Sequence, residues 1–221
     1  MRVTAATLTV ALDAPIRLES MNVALPKVAI CFPSGDMVHA DFALALAGLC
    51  NSTPPLETPI VNNKSSIVAI ARNNGVKNAR EMGCDHVLFL DSDMIFPRTT
   101  LHRLLLHRRD IVGATYVKRV PPYSILGTAL ESEPTCDARG LTEMRRIPTG
   151  CLLIRMAVFD ALSEPVFRFD VDAAGDIVGE DYVFCDRARA AGFRIWCDAA
   201  LSQEIGHVGQ QVFKVSGETA R

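Results

Sequence analysis

The chain has 221 residues, 49% of them hydrophobic, and carries 23 Lys and Arg against 25 Asp and Glu, a formal net charge of −2. That length suits one sizeable core better than several domains, and the balanced charge offers no basic field for nucleic acid, so no such partner is expected. No uninterrupted apolar run is long enough to cross a bilayer, so no transmembrane segment is expected either.

In chain order, residues 1–24 read as an N-terminal extension. Its apolar patch from Ala5 to Leu12 is cut short by Asp13, so a secretory signal is not expected and a cytoplasmic location is. Seven cysteines without a C-x-x-C pair point the same way, to reduced and mostly buried thiols. Lys27 to Phe32 reads as a buried strand broken by Pro33-Ser34-Gly35-Asp36, and Val38 to Leu49 follows helical spacing. After a polar loop from Asn51, Pro59 to Asn62 predicts a short second strand. Ser65 or Ser66 is placed to cap a helix through Met82, with Ile67, Ile70, Ala71 and Val76 expected on its apolar side and Gly75 weakening its centre.

His86 to Leu90 is an apolar strand that ends in Asp91-Ser92-Asp93. Pro97 suits a first helical turn, with Leu101, Leu104 and Leu105 facing inward. Asp110 to Val117 is rich in strand formers, and Tyr123 to Arg146 predicts a meander containing short strands at Ser124–Leu130 and Thr142–Ile147. Pro148-Thr149-Gly150 then precedes an apolar strand from Cys151 to Ile154 and a short helix from Met156 to Leu162. An acidic loop from Asp170 to Gly179 leads to a helix over Glu180–Ala191, ended by Gly192, and a core strand from Phe193 to Cys197. The pattern predicts an α/β fold: a mostly parallel central sheet with helices on both faces and a small antiparallel β addition. One domain is expected over 25–215, with a tail at 216–221.

The chemistry concentrates at strand and helix ends. Paired carboxylates delivered by a buried strand lie where open α/β sheets bind ligands. Two acids so close repel, and a divalent ion with oxygen ligands, Mg²⁺ or Mn²⁺, is one compensation. Gly179-Glu180-Asp181 opens a helix, whose dipole and free N–H groups favour negative charge, so Asp181 is expected to stay ionised and able to take a proton. His207, between Gly206 and the Val208-Gly209 pair, is a candidate ligand that could complete a carboxylate site.

These landmarks, Phe89-Leu90-Asp91-Ser92-Asp93-Met94, Pro148-Thr149-Gly150-Cys151-Leu152-Leu153-Ile154, Gly179-Glu180-Asp181 and Gly206-His207, resemble in that order a GT-A fold glycosyltransferase of the family 2 type, more narrowly its compact bacterial and phage members. The resemblance spans Lys27 to Val215. It implies a nucleotide-diphosphate sugar donor, most simply a UDP- or GDP-sugar, and a glycan, lipid-linked or protein hydroxyl acceptor. It implies Mn²⁺ or Mg²⁺ on Asp91, Asp93 and His207, with Asp93 the stronger ligand, and Asp181 as catalytic base beside Glu180. Pro33, Ser34, Arg72, Asn73, Asp91 and Ser92 would frame the nucleotide, and Thr149 and Gly150 would flank the donor sugar. Lys118 and Arg119 are candidates for a further cationic role at the diphosphate, against the plainer reading of a solvated surface pair. The first-strand signature of the family is reduced here to Cys31-Phe32-Pro33-Ser34-Gly35, and acceptor recognition is expected from internal loops or another chain.

Three other readings compete. A phosphohydrolase of the haloacid dehalogenase type also ends a strand in D-x-D, but it follows the second Asp with a Gly-Thr type turn, where this chain has Met94-Ile95-Phe96-Pro97. A nucleotidyltransferase wants a glycine-rich loop after the first strand, and Pro33-Ser34-Gly35-Asp36 has one glycine. A sugar or nucleotide-sugar binding module that has lost turnover is the third, but the acid pair, the candidate base and the histidine are all retained here. The Asp170 to Asp181 stretch partly follows a calcium-loop spacing, with Ala174 at a ligand position, and reads better as a loop closing over a ligand.

Overall fold

The computed structural model describes residues 25–209 apart from 120 and 132–134. The expected extension at 1–24 and tail at 216–221 lie outside the described residues, as does 210–215 of the expected domain.

An eight-stranded mixed sheet in the order β2-β1-β3-β8-β5-β11-β7-β6 forms the centre. Its strands are β1 (Val28–Ser34), β2 (Ile60–Lys64), β3 (His86–Leu90), β5 (Ile111–Gly113), β6 (Thr128–Ala129), β7 (Leu141–Arg146), β8 (Cys151–Arg155) and β11 (Ile195–Asp198). Strands β1, β2 and β3 pair in parallel, as do β5 and β11. Strand β8 runs against both β3 and β5, and β7 against both β11 and β6. Small antiparallel pairs sit outside: β9 (Asp170–Val171) with β10 (Ile177–Val178), and β4 (Met94–Ile95) with β12 (Gly206–His207). The stretch expected as an acidic loop is thus a hairpin, and Asp172 Oδ1 accepts from the backbone of Ala174 and Asp176 to hold its turn.

Six helices cover the described sheet: α1 (Ala40–Ser52), α2 (Val68–Glu81), α3 (Thr100–Leu106), α4 (Met156–Asp160), α5 (Glu180–Ala190) and α6 (Ala199–Ser202). Strand alternation sorts the core into two faces. Val28, Ile30, Leu88, Leu90, Val112 and Leu153 meet α1, α3 and α6 on one face. Ala29, Cys31, Val87, Phe89, Ile111 and Ile154 meet α2, α4 and α5 on the other. Buried on both faces, these strands read in the sequence as unbroken apolar runs.

Helix α2 buries Ala71 and Val76 as expected but not Ile67 or Ile70. Ile67 and Ile70 are each 48% exposed, while Ala69, Ala71, Arg72, Gly75, Val76 and Ala79 are buried. Strand β1 offers only Ala29 and Cys31 on that side, and a helix side made of small residues lies close against it, with Cys31 Sγ donating to the Gly75 carbonyl at 3.8 Å. Nor does Ser65 or Ser66 cap the helix; Ile67 is the N-cap, and Ser65 Oγ accepts from the Ile67 N–H at 3.1 Å.

The expected strand over 110–117 is shorter, because only Ile111–Gly113 joins the sheet. Gly113 fits closely against β8, where an added Cβ would stand 2.7 Å from Leu152 Cδ1. Beyond it the chain leaves the sheet: Thr115 N–H donates to Ser202 Oγ at 3.0 Å and Val117 bridges Ile125. That departure carries residues 116–119 toward the end of β3. All seven cysteines are free; five are buried, Cys50 is half-buried and Cys136 is exposed. No helix among the described residues is long and apolar enough to cross a membrane.

Candidate active site

The turn after β3 is held from three sides. Asp91 N–H donates to the Gly150 carbonyl at 3.1 Å, Met94 N–H returns to the Asp91 carbonyl at 3.0 Å, and His39, the N-cap of α1, donates its N–H to the Ser92 carbonyl at 3.2 Å. Asp91, Ser92 and Asp93 are all half-buried, so each carboxylate needs a partner more than one in open water would.

Arg72 of α2 supplies the first. Its side chain is 4% exposed; Nη2 donates to Asp91 Oδ1 at 3.0 Å and Nε to Glu180 Oε1 at 3.1 Å. The guanidinium lies over the Phe89 ring at 5.6 Å, and Nη1 is buried with no hydrogen-bond partner among the described residues. Burial alone would favour its neutral form, but the charges of Asp91 and Glu180 outweigh that and raise its pKa. One buried cation therefore joins the end of β3 to the start of α5.

Arg119 supplies the second. Its Nη1 donates to Asp93 Oδ2 at 2.7 Å and to the Val208 carbonyl at 3.3 Å. His207 Nε2 stands 3.6 Å from the same Asp93 oxygen, longer than a direct hydrogen bond, while Nδ1 lies 2.9 Å from the Val117 carbonyl. The β4–β12 pairing sets Met94 opposite His207, and Val208 N–H donates to the Asp93 carbonyl at 2.8 Å. Gly206 faces Ile95, where an added Cβ would approach Ile95 Cβ to 3.3 Å. Burial pushes the Asp93 carboxyl up, but His207 and Arg119 together bring it below its ordinary value. The same contact with Asp93 raises the His207 imidazole.

Between these two pairs sits Gly150. Its N–H donates to Tyr116 Oη at 3.1 Å, and an added Cβ would stand 2.7 Å from Tyr116 Cζ and 3.0 Å from Asp91 Oδ2. Thr149 is 1% exposed and its Oγ1 has no hydrogen-bond partner among the described residues. Burial raises the Tyr116 hydroxyl well above its ordinary pKa, so it stays protonated. Its ring meets His207 edge to face at 4.9 Å.

Asp181 completes the cluster at the start of α5. Oδ1 accepts from Tyr182 N–H at 2.8 Å, yet the carboxyl is pushed up to about 6, first by burial and then by the charge of Glu180, with Asp91 adding to both. The helix start was expected to favour its charge. Burial and a neighbouring acid win, because Arg72 is bonded to Glu180 and Asp91 and, among the described residues, Asp181 has no direct cation.

Of the residues expected at the site, the structure gathers Arg72, Asp91, Asp93, Arg119, Thr149, Gly150, Glu180, Asp181 and His207 around the end of β3. Ser92 takes part through its backbone. Ser34, one residue past Pro33 at the end of β1, donates its hydroxyl to Asn62 Oδ1 at 2.9 Å. Asn73 is committed elsewhere, its amide donating to the Phe167 carbonyl at 2.7 Å and accepting from Phe167 N–H at 2.9 Å. Lys118 is exposed and forms no ion pair among the described residues. Tyr116 was missed from the sequence. It lies in a stretch that reads as plain strand, and only the departure of the chain after Gly113 turns it toward Gly150.

The divalent ion that the resemblance implies can be tested against this donor set. Asp91 Oδ1 is bonded to Arg72, and Asp93 Oδ2 is shared by Arg119 and His207. Among the described residues no three His, Cys, Asp or Glu side chains come together as a metal-binding group. As arranged, Asp91 Oδ1, Asp93 Oδ2 and His207 are turned to partners within the chain and do not form a three-donor site for a divalent ion.

No family model and no curated protein matches the chain. Among solved structures it is similar to A197 from STIV, with a TM-score of 0.57, 16% identity, and coverage of 87% of this chain and 100% of that one. It also aligns with a mannose-1-phosphate geranyltransferase from Thermus thermophilus, at a TM-score of 0.41 and 13% identity over 60% of this chain and 58% of that one. The likeness to A197 establishes a shared α/β fold.

Proposed function

We propose that the chain is a glycosyltransferase that moves a sugar from a nucleotide-diphosphate sugar to a hydroxyl acceptor, with inversion and with Asp181 as base. The observation that carries the reading is the division of labour among three acids. Asp91 and Glu180 share the buried Arg72, while Asp181, without a direct cation among the described residues, has a carboxyl raised to about 6. A carboxylate of that pKa is about nine-tenths ionised at neutral pH, yet more basic than an ordinary Asp, which suits general-base work.

In the reaction the acceptor oxygen attacks the anomeric carbon while the bond to the diphosphate breaks, and the acceptor proton passes to Asp181. Negative charge builds on the departing diphosphate, so preorganised donors there contribute most to lowering the barrier. Arg119, whose side chain is 48% exposed beside Asp93, would be the cation to serve there.

A thermal-shift panel of uridine, guanosine, cytidine and thymidine diphosphates tests the donor class, since a selective ligand raises the melting point. One nucleotide is expected to stand out. The corresponding nucleotide sugar should be consumed by the wild type and not by Asp181→Asn, while donor binding survives in the variant. A flat panel, or turnover that persists in Asp181→Asn, would end this reading. Donor binding without any turnover would place the chain among nucleotide-sugar binding modules instead.

A further inference from the structure

We infer that Arg119 stands where a divalent ion would otherwise be required, so that this chain holds a diphosphate through a guanidinium and needs no metal to do so. The inference rests on the proposed donor class and deepens it. Its basis is the way positive charge is distributed at the D-x-D turn. Each carboxylate already has its own arginine: Asp91 has Arg72 at 3.0 Å and Asp93 has Arg119 at 2.7 Å. The repulsion that would otherwise call for a cation is therefore answered within the chain.

The two arginines are not equivalent. Arg72 is 4% exposed and bridges Asp91 to Glu180, so its charge is already shared between two carboxylates. Arg119 is 48% exposed. Only its Nη1 has a protein partner among the described residues, Asp93 Oδ2 and the Val208 carbonyl. One edge of the guanidinium is tied down, leaving Nε and Nη2 for a second oxyanion. A fork of N–H donors with one edge free matches the paired oxygens of a phosphate.

The C-terminal strand keeps that fork in place. Gly209 backs the Arg119 stem, where an added Cβ would lie 3.5–3.6 Å from Cβ, Cγ and Cδ of the arginine. Val208 binds Asp93 and Arg119 through its backbone, N–H to one and carbonyl to the other. A preset donor loses less freedom on binding than one that must be ordered by the ligand. A metal on the same oxygen, Asp93 Oδ2, would first have to displace a 2.7 Å charge-assisted bond.

Inorganic pyrophosphate is the probe, because it tests the anion site without the nucleoside. Titration calorimetry in EDTA is expected to show pyrophosphate binding to the wild type, weakened about tenfold or more in Arg119→Ala. Arg119→Lys, which keeps the charge on Asp93 but loses the fork, should fall between them. Electron paramagnetic resonance of Mn²⁺ mixed with the wild type, without phosphate, should retain the full signal of the free ion. Three results would each overturn the inference: no pyrophosphate binding in EDTA, unchanged binding in Arg119→Ala, or stoichiometric Mn²⁺ uptake by the wild type. Pyrophosphate binding with a flat nucleotide panel would remove the proposed donor and leave the arginine site standing. Nucleotide binding that appears only with Mn²⁺ would remove the arginine site and leave the transferase.

Discussion

Gly150 shows how little room separates the groups of the site. An added Cβ would press on Tyr116 Cζ at 2.7 Å and on Asp91 Oδ2 at 3.0 Å, in a place where both neighbours are packed and neither is the free end of a flexible chain. Gly150→Ala is therefore expected to lose about 1–3 kcal/mol of stability, the usual range for overpacking, and to weaken nucleotide binding by moving Asp91. Tyr116→Phe in the same chain should restore part of the loss, since it removes the hydroxyl nearest the new methyl but leaves the ring. Urea midpoints of the two single variants and the double variant check this, and an additive double variant would contradict it. Arg72 makes the complementary case. Arg72→Met leaves Asp91 and Glu180 in a half-buried and a buried place without their cation, and removing one partner of a buried ion pair costs about 3–5 kcal/mol. Arg72→Lys should recover little of that, because an ammonium is a single point of charge and does not reproduce the two fixed donors, Nε and Nη2, that the guanidinium gives to separate carboxylates.

At the scale of elements, helix α2 joins stability to the site. Its small-residue side brings it close enough to β1 for Arg72 to reach the end of β3, and Gly75 lies at the middle of that contact. There an added Cβ would meet Cys31 Sγ at 3.4 Å and Cys31 Cβ at 3.5 Å, ordinary contact distances. Gly75→Ala is thus expected to stabilise the chain by about 0.5–1 kcal/mol through helix propensity and a less flexible unfolded state, with a higher urea midpoint and unchanged nucleotide binding. A lower midpoint would mean that α2 has no slack against β1. The elements also differ in how far the sequence betrays them. Strands β1, β3 and β8 are legible because burial on both faces makes them continuous apolar runs. The face of α2 is not, because apolar spacing cannot tell Ile70 from Ala71 until the residues opposite are known. The β4–β12 pair is not legible either: two-residue strands carry no period, and their pairing depends on where a distant segment comes to lie. That pairing sets His207 near Asp93, and a resemblance in motif order anticipated it where periodicity could not.

For the molecule as a whole, the acids and arginines around β3 make stability depend on pH, and the proposed turnover with it. The local rule that a helix start favours a carboxylate is overridden at Asp181 by burial and by Glu180, and of these two causes only Glu180 is visible in the sequence. A carboxyl raised from 3.8 to about 6 binds its proton more tightly in the folded chain than in the unfolded one. Stability therefore falls as pH rises from about 4 to 6, the opposite of the usual buried salt-bridged Asp. Partial solvent contact of Asp181 reduces the full linkage value, leaving a penalty of about 1–3 kcal/mol above pH 6. Asp181→Asn removes that penalty. The variant is expected to be more stable than the wild type by that amount at pH 8 and equal to it near pH 3.5, where both unfolded and folded wild-type chains carry the proton. Urea denaturation at the two pH values measures the difference. Turnover should run the other way: kcat/KM of the wild type rises about tenfold per pH unit below 6 and levels above it, as the base ionises. The residue that weakens the fold near neutral pH would then be the one the reaction needs. Equal stability of the two chains at pH 8, or a rate profile flat through pH 6, would separate Asp181 from both roles.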